Sequence, residues 1–142
     1  MCGQFCFNAI LSHVRAQGDV ALAVASSGIA SILLGLGRTF HSRFKASLKP
    51  KDSDYLNIKS QTALARLVRM AKVIVWDEAP MQHRHHLEAL DRTLRDLMKE
   101  EQPELEHVPF GGKIIVRQHV PSSNSVVQTS HPARPRASQP AS

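Results

Sequence analysis

Two neighbouring carboxylates, Asp77 and Glu78, follow directly on the apolar run Val73-Ile74-Val75-Trp76. A buried strand that ends in acid delivers a carboxylate to the rim of a parallel sheet. There Mg2+ is held by one or two carboxylates together with water and phosphate oxygens. In that arrangement the first acid binds the ion, and the second orients or deprotonates the water that attacks a γ-phosphate. This is the pattern of a Walker B motif. The pair also has a plainer use, because an acid after a strand can cap the next helix and stabilise its N-terminal dipole. Taken alone, the pair leaves both uses open.

Other residues that could do chemistry are fewer. His83, His85 and His86 suggest a metal, but positions i, i+2 and i+3 of a helix do not share one face, and no Cys or acid completes a tetrahedral set. They read as helix surface, and Trp76 reads as core. Cys2 and Cys6 form a C-x3-C pair with no later Cys pair to complete a zinc site, which fits a reducing compartment.

The elements that must position the acids follow from hydrophobic periodicity. Phe7, Ile10, Leu11 and Val14 recur at helical spacing, and Gly18 closes that helix. Val20 to Ala25 reads as a short strand, with Ser26-Ser27-Gly28 opening a second helix. Residues 37–59 read as a polar loop holding Pro50. Leu64, Leu67, Val68 and Ala71 share one helical face, and 72–76 is a buried strand by its apolar run. Leu87, Leu90, Leu94 and Leu97 form the inner stripe of a long helix, and 111–116 begins another strand. Strands alternating with helices at this spacing predict a parallel α/β sheet covered on both faces.

Composition sets outer bounds. The chain has 142 residues, enough for one ordinary domain. Its 42% hydrophobic content is globular, and its net charge of +6 favours polyanionic partners, nucleic acid first. No run reaches the roughly 18 apolar residues of a membrane span, and no basic segment precedes an apolar one as in a secretory signal. From Arg117 onward the sequence holds four Pro, six Ser, three Arg and no acid. Such a segment reads as a disordered basic tail, residues 117–142, after a domain of residues 1–116.

Three stretches, VALAVASSGIASILLGLGRTFHSRFK, AKVIVWDEAPMQHRHHLEALDRTLRDLM and PFGGKIIV, together resemble the Pif-type superfamily-one DNA helicases, with the Helitron-like branch of plant genomes nearest. The resemblance implies a RecA-like P-loop NTPase fold and ATP-driven 5′-to-3′ unwinding with Mg2+ as cofactor. It implies roles in repair, recombination and telomere or transposon DNA, and hence a nuclear location. Its partners would be ATP and DNA, single-stranded and at duplex junctions, with no membrane. On this likeness Asp77 is the metal-binding acid and Glu78 the catalytic base. Ser26, Ser27 and Gly28 fall in a motif that lies along single-stranded DNA. Arg38, Thr39, His41, Ser42, Arg43, Phe44 and Lys45 match a segment near the DNA channel. There the cations would pair with phosphates, and His41 or Phe44 would stack on a base. The bland reading of that stretch is a basic loop whose Phe44 packs on the core.

The match is partial. An ATPase of this class needs GxxxxGK[ST] before its first helix, to cradle and neutralise the phosphates. Here Gly3 and Gln4 occupy the last positions of that loop, so no intact P-loop is present. After Val116 the family's Gly-Asp-Phe-Arg-Gln segment is replaced by RQHVPSSNSV, as a shifted reading frame or mis-joined exon would produce. The expectation is a partial RecA-like segment, catalytically incomplete by itself. A non-enzymatic nucleic-acid-binding fragment, or a pseudogene product, is the alternative.

Overall fold

The computed structural model describes residues 2–46, 49, 51, 53–77, 84–119 and 126–130. Helix α1 (Cys2–Ala16) leads through a turn at Gly18 into β1 (Val20–Ala25). Next come α2 (Gly28–Leu33), β2 (Arg38–Thr39) and α3 (Phe40–Phe44). Then α4 (Ala63–Met70) runs into β3 (Ala71–Asp77), and α5 (Arg84–Lys99) follows. Two 3-10 turns, Pro103–His107 and Pro109–Gly112, deliver the chain to β4 (Ile114–His119) and β5 (Val126–Ser130).

The strands form one sheet in the order β2-β1-β3-β4-β5. The first four are parallel and β5 is antiparallel to β4. Because side chains alternate along a strand, each central strand feeds two cores. Leu22, Val24, Ile74, Trp76 and Ile115 pack with α3, α4 and α5. Ala21, Ala23, Ala25, Val73, Val75 and Val116 face Phe7 and Leu11 of α1 and Ala30 of α2. The alanines of β1 let these helices lie close. The expected α/β sheet covered on both faces is what the chain forms.

Two expectations are corrected. Residues 37–59 are not loop throughout, since they contain β2 and α3. Thr39 Oγ1 accepts a hydrogen bond from Ser42 N at 3.2 Å and so caps α3, while Lys45 ends the helix in the left-handed region. Phe40 and Phe44, at i and i+4, supply the buried face that holds this short helix. Order also does not end at Val116. β4 continues to His119, and Val126–Ser130 pairs with it from Val126 opposite His119 to Ser130 opposite Ile115. The local sequence Val-Val-Gln-Thr is rich in β-branched residues, which favour a strand whatever the composition around it. The rest of the expected tail lies outside the described residues.

Candidate functional site

The carboxyl ends of β2, β1 and β3 lie in one row. Ala25 is the partner of both Thr39 and Asp77. The sequence-derived candidates Thr39, Ser26 and Asp77 therefore sit side by side on three neighbouring strand ends. In open parallel sheets this rim is where ligands bind.

Asp77 is 3% exposed. It ends a strand whose residues from Val73 onward are all buried. Alternation along β3 puts Asp77 on the same face as Val73 and Val75, the face covered by α1 and α2. Helix α1 turns at Gly18 into β1, so it runs antiparallel to the strands and its N-terminus lies toward the rim that Asp77 occupies. A helix N-terminus offers free N–H groups and a positive dipole end. A buried carboxylate and a helix N-terminus thus lie toward the same rim. Glu78 and His83 lie outside the described residues.

The Ser-Ser-Gly segment is tied to the acid's strand. Ser26 N donates to Asp77 O at 3.3 Å, and Trp76 Nε1 donates to Ser26 Oγ at 3.3 Å. Ser27 Oγ accepts from Ala30 N at 3.2 Å and caps α2, which begins at Gly28. The hydroxyls of Ser26 and Ser27 are thereby engaged within the protein.

The segment 38–45 divides. Arg38, Ser42 and Lys45 are exposed. Arg43 is half-buried and its pKa is lowered, first by burial and then by the neighbouring cations Arg38 and Arg15. Phe44 is fully buried, which removes it as a base-stacking platform. Its i, i+4 relation to Phe40 explains this, because both rings must turn inward for so short a helix to dock. His41 is half-buried with its ring set edge-on against His86, centroids 4.9 Å apart.

The histidines of α5 are also corrected. His86 is 3% exposed, not helix surface. It lies four residues before Leu90 and eight before Leu94, so it belongs to the inner stripe, a signal present in the spacing. Its ring meets both Phe40 and His41. His85 is partly exposed and lies 3.8 Å from Glu88. Among the described residues, no group of three or more His, Cys, Asp or Glu is gathered to hold a metal.

A family model described as PIF1-like helicase matches residues 3–125. The chain belongs to the PIF1-like helicase family. Among solved structures it is similar to Bacteroides Pif1 bound to ssDNA, at 27% identity and a TM-score of 0.61, over 78% of this chain and 25% of that one. It is also similar to Bacteroides Pif1 in complex with ADP-AlF3 and ssDNA, at 28% identity and a TM-score of 0.58, over 69% of this chain and 21% of that one. Two coordinating Pif1 helicases at forked dsDNA match at 25% identity and a TM-score of 0.58, over 78% of this chain and 26% of that one. The chain thus spans about a quarter of the length of these Pif1 helicases. No curated protein matches it. Among the described residues, no helix is long and apolar enough to cross a membrane.

Proposed function

We propose that this chain is a segment of an ATP-dependent DNA helicase motor, supplying the Mg2+-binding acid and part of the DNA path. One observation carries the reading. Asp77 is buried at the carboxyl end of β3, on the face and at the rim where α1 begins. Mg2+ keeps several waters and takes one or two carboxylates plus phosphate oxygens, so a single strand-end acid suits it better than a multidentate cage. When bound, the ion would neutralise charge developing on the transferred phosphate. Asp77 would hold it, and Glu78 would orient the attacking water. The DNA-facing groups are Arg38, Ser42 and Lys45, the exposed residues of the 38–45 segment.

Neither Gly3 nor Gln4, at the start of α1, brings the cation a triphosphate requires. The activity proposed for these 142 residues is therefore nucleotide and DNA binding, with hydrolysis and unwinding belonging to a complete motor. The setting proposed for that motor is nuclear, in repair, recombination or telomere maintenance, on the strength of the family resemblance alone. A nucleic-acid-binding fragment without nucleotide chemistry is the second reading. It is favoured by the exposed cations Arg38 and Lys45 in a chain of pI near 9.8.

Calorimetric titration of the chain with Mg·ADP separates the two. The helicase reading expects saturable, Mg2+-dependent binding that weakens at least tenfold in Asp77→Asn. Equal affinity in parent and Asp77→Asn, with salt-sensitive DNA binding intact, would leave only the second reading.

A further inference from the structure

Below its short pairing with β2, the outer edge of β1 opens into a recess of about 310 Å3. Its walls are Arg15, Asp19, Leu36, Arg43, Leu67 and the β1 stretch from Val20 to Ala23. β2 pairs with β1 only at Val24 and Ala25, so among the described residues the lower part of that edge has no strand beside it. Arg15 Nη2 donates to Ala21 O at 3.0 Å from this side. The N–H and C=O of one strand residue leave on the same side, and the side alternates along the chain. The Ala21 and Ala23 N–H groups therefore point into the recess as well.

Among the described residues, no carboxylate forms a salt bridge with Arg15, Arg38 or Arg43 around it. Arg15 donates to two carbonyls, Ala21 O and Gly35 O, the latter at 2.8 Å. Among the described residues, Arg43 Nε is buried without a hydrogen-bond acceptor. Burial first, and then repulsion from Arg38 and Arg15, lowers the Arg43 pKa. The acid in the wall, Asp19, is paired with Lys72 at 3.1 Å. Donors and positive charge converge here, and an anion would relieve the repulsion.

The lip adds a second kind of contact. Leu36 holds a φ of +59°, a left-handed conformation that is uncommon for a residue other than glycine, yet its side chain is 82% exposed. A strained backbone that holds a large apolar side chain in water is the type of feature that marks ligand clamps. The recess is roomier than a bare oxyanion needs and falls in the size range of small-molecule sites.

We propose that this recess binds a phosphate ester, its oxygens taken by Arg15, Arg43 and the Ala21 and Ala23 amides, its organic part lying on Leu36 and Leu67. The site shares no residue with the Asp77 rim and does not rest on nucleotide chemistry there. A free nucleotide and a DNA strand could each supply the ester.

The 142-residue chain, observed by NMR of its arginine Nε–H groups, is titrated with inorganic phosphate, a deoxynucleoside 5′-monophosphate and a single-stranded oligonucleotide. Saturable binding is expected, with the monophosphate tighter than inorganic phosphate. Arg43→Gln should weaken both at least tenfold. Arg43→Lys, which keeps the charge but loses the planar fork of donors, should weaken them less. Leu36→Gly, which relaxes the backbone, should remove the preference for the ester and leave inorganic phosphate unchanged. Competition between oligonucleotide and monophosphate assigns the ester to DNA, and independent binding assigns it to a free nucleotide. Absence of saturable phosphate binding, or binding that both Arg43 variants leave intact, overturns the proposal. It does so whether or not Arg38→Ala and Lys45→Ala weaken DNA binding.

Discussion

The Phe40 ring lies face to face on the Trp76 indole, centroids 4.2 Å apart and planes 5° from parallel. This stack joins the helix that follows β2 to the residue immediately before Asp77, and Trp76 in turn donates to Ser26. The stack and the Trp76–Ser26 hydrogen bond thus tie together the ends of β2, β1 and β3. Phe40 and Trp76 are 2% and 1% exposed, so truncation opens a cavity that close neighbours cannot fill. Phe40→Ala is expected to lower stability by about 3–5 kcal/mol. Phe40→Leu, which keeps most of the volume but loses the ring, should cost about 1–2 kcal/mol. Urea denaturation of both variants measures this, and an unchanged midpoint for Phe40→Ala would contradict the stack.

The turn into β2 depends on the absence of a side chain at one position. A Cβ on Gly37 would lie 2.4 Å from Ser31 O and 2.8 Å from Leu34 Cβ. The first neighbour is backbone and cannot swing aside. Gly37→Ala should therefore cost about 1–3 kcal/mol through overpacking. Gly35→Ala is the control, because its Cβ would meet nothing nearer than Arg15 Nη1 at 3.4 Å, an ordinary contact. It should stay within about 0.5 kcal/mol of the parent. Thermal melts of the two variants would reveal whether the turn is as tight as the geometry requires.

Much of the fold was legible because its central strands are buried on both faces. Such strands write long apolar runs into the sequence, and Val73 to Trp76 is the clearest. α5 declares itself by repetition, with Leu90, Leu94 and Leu97 recurring over enough turns to set a phase. α3 is too short for a period to emerge, so Phe44 read as a DNA contact although its partner Phe40 stands four residues earlier. The cap at Thr39 was the remaining local signal. His86 was misread because its polarity outweighed its place in the α5 stripe. The inward turn of Arg43 had no sequence signal, since it depends on β2 leaving part of the β1 edge open, which only the strand pairing decides. Asp77 was legible as an acid at a strand end, but its placement near the start of α1 depends on the order in which the strands assemble.

DNA binding should be governed by the exposed cations of the 38–45 segment. Each Lys or Arg that neutralises a backbone phosphate displaces condensed counterions, so affinity falls with salt in proportion to the number of such contacts. Arg38→Ala and Lys45→Ala should each reduce the slope of log K against log salt by about 0.7 on a single strand. Phe44→Leu should leave that slope unchanged, because the side chain is buried. Fluorescence anisotropy with a labelled oligonucleotide at several salt concentrations gives the slopes directly. A shallower slope in Phe44→Leu alone would place the DNA elsewhere.

Lys113 makes stability depend on pH in a particular direction. Its side chain is 5% exposed, and Nζ donates to Arg69 O and Ala71 O at 2.7 Å each, closing the α4–β3 junction. Burial lowers its pKa to about 8, with Glu101 opposing the shift. The folded-state pKa lies below the unfolded value, so between about pH 8 and 10.5 the unfolded chain holds a proton that the folded chain has released. Stability contributed by this group should therefore rise with pH across that window and be flat below it. Below pH 8 the ammonium is charged in both states and the burial cost is fully present. The neutral amine still has two N–H groups, enough for both carbonyls. The rise is bounded by the shift itself, at most about 3 kcal/mol. Lys113→Met should abolish the rise and also lower stability by about 1–3 kcal/mol, since the two carbonyls lose their donor. Urea midpoints of parent and variant, measured from pH 7 to 10.5, separate the two effects. A parent whose midpoint falls relative to Lys113→Met across that range would show that the buried amine stays charged.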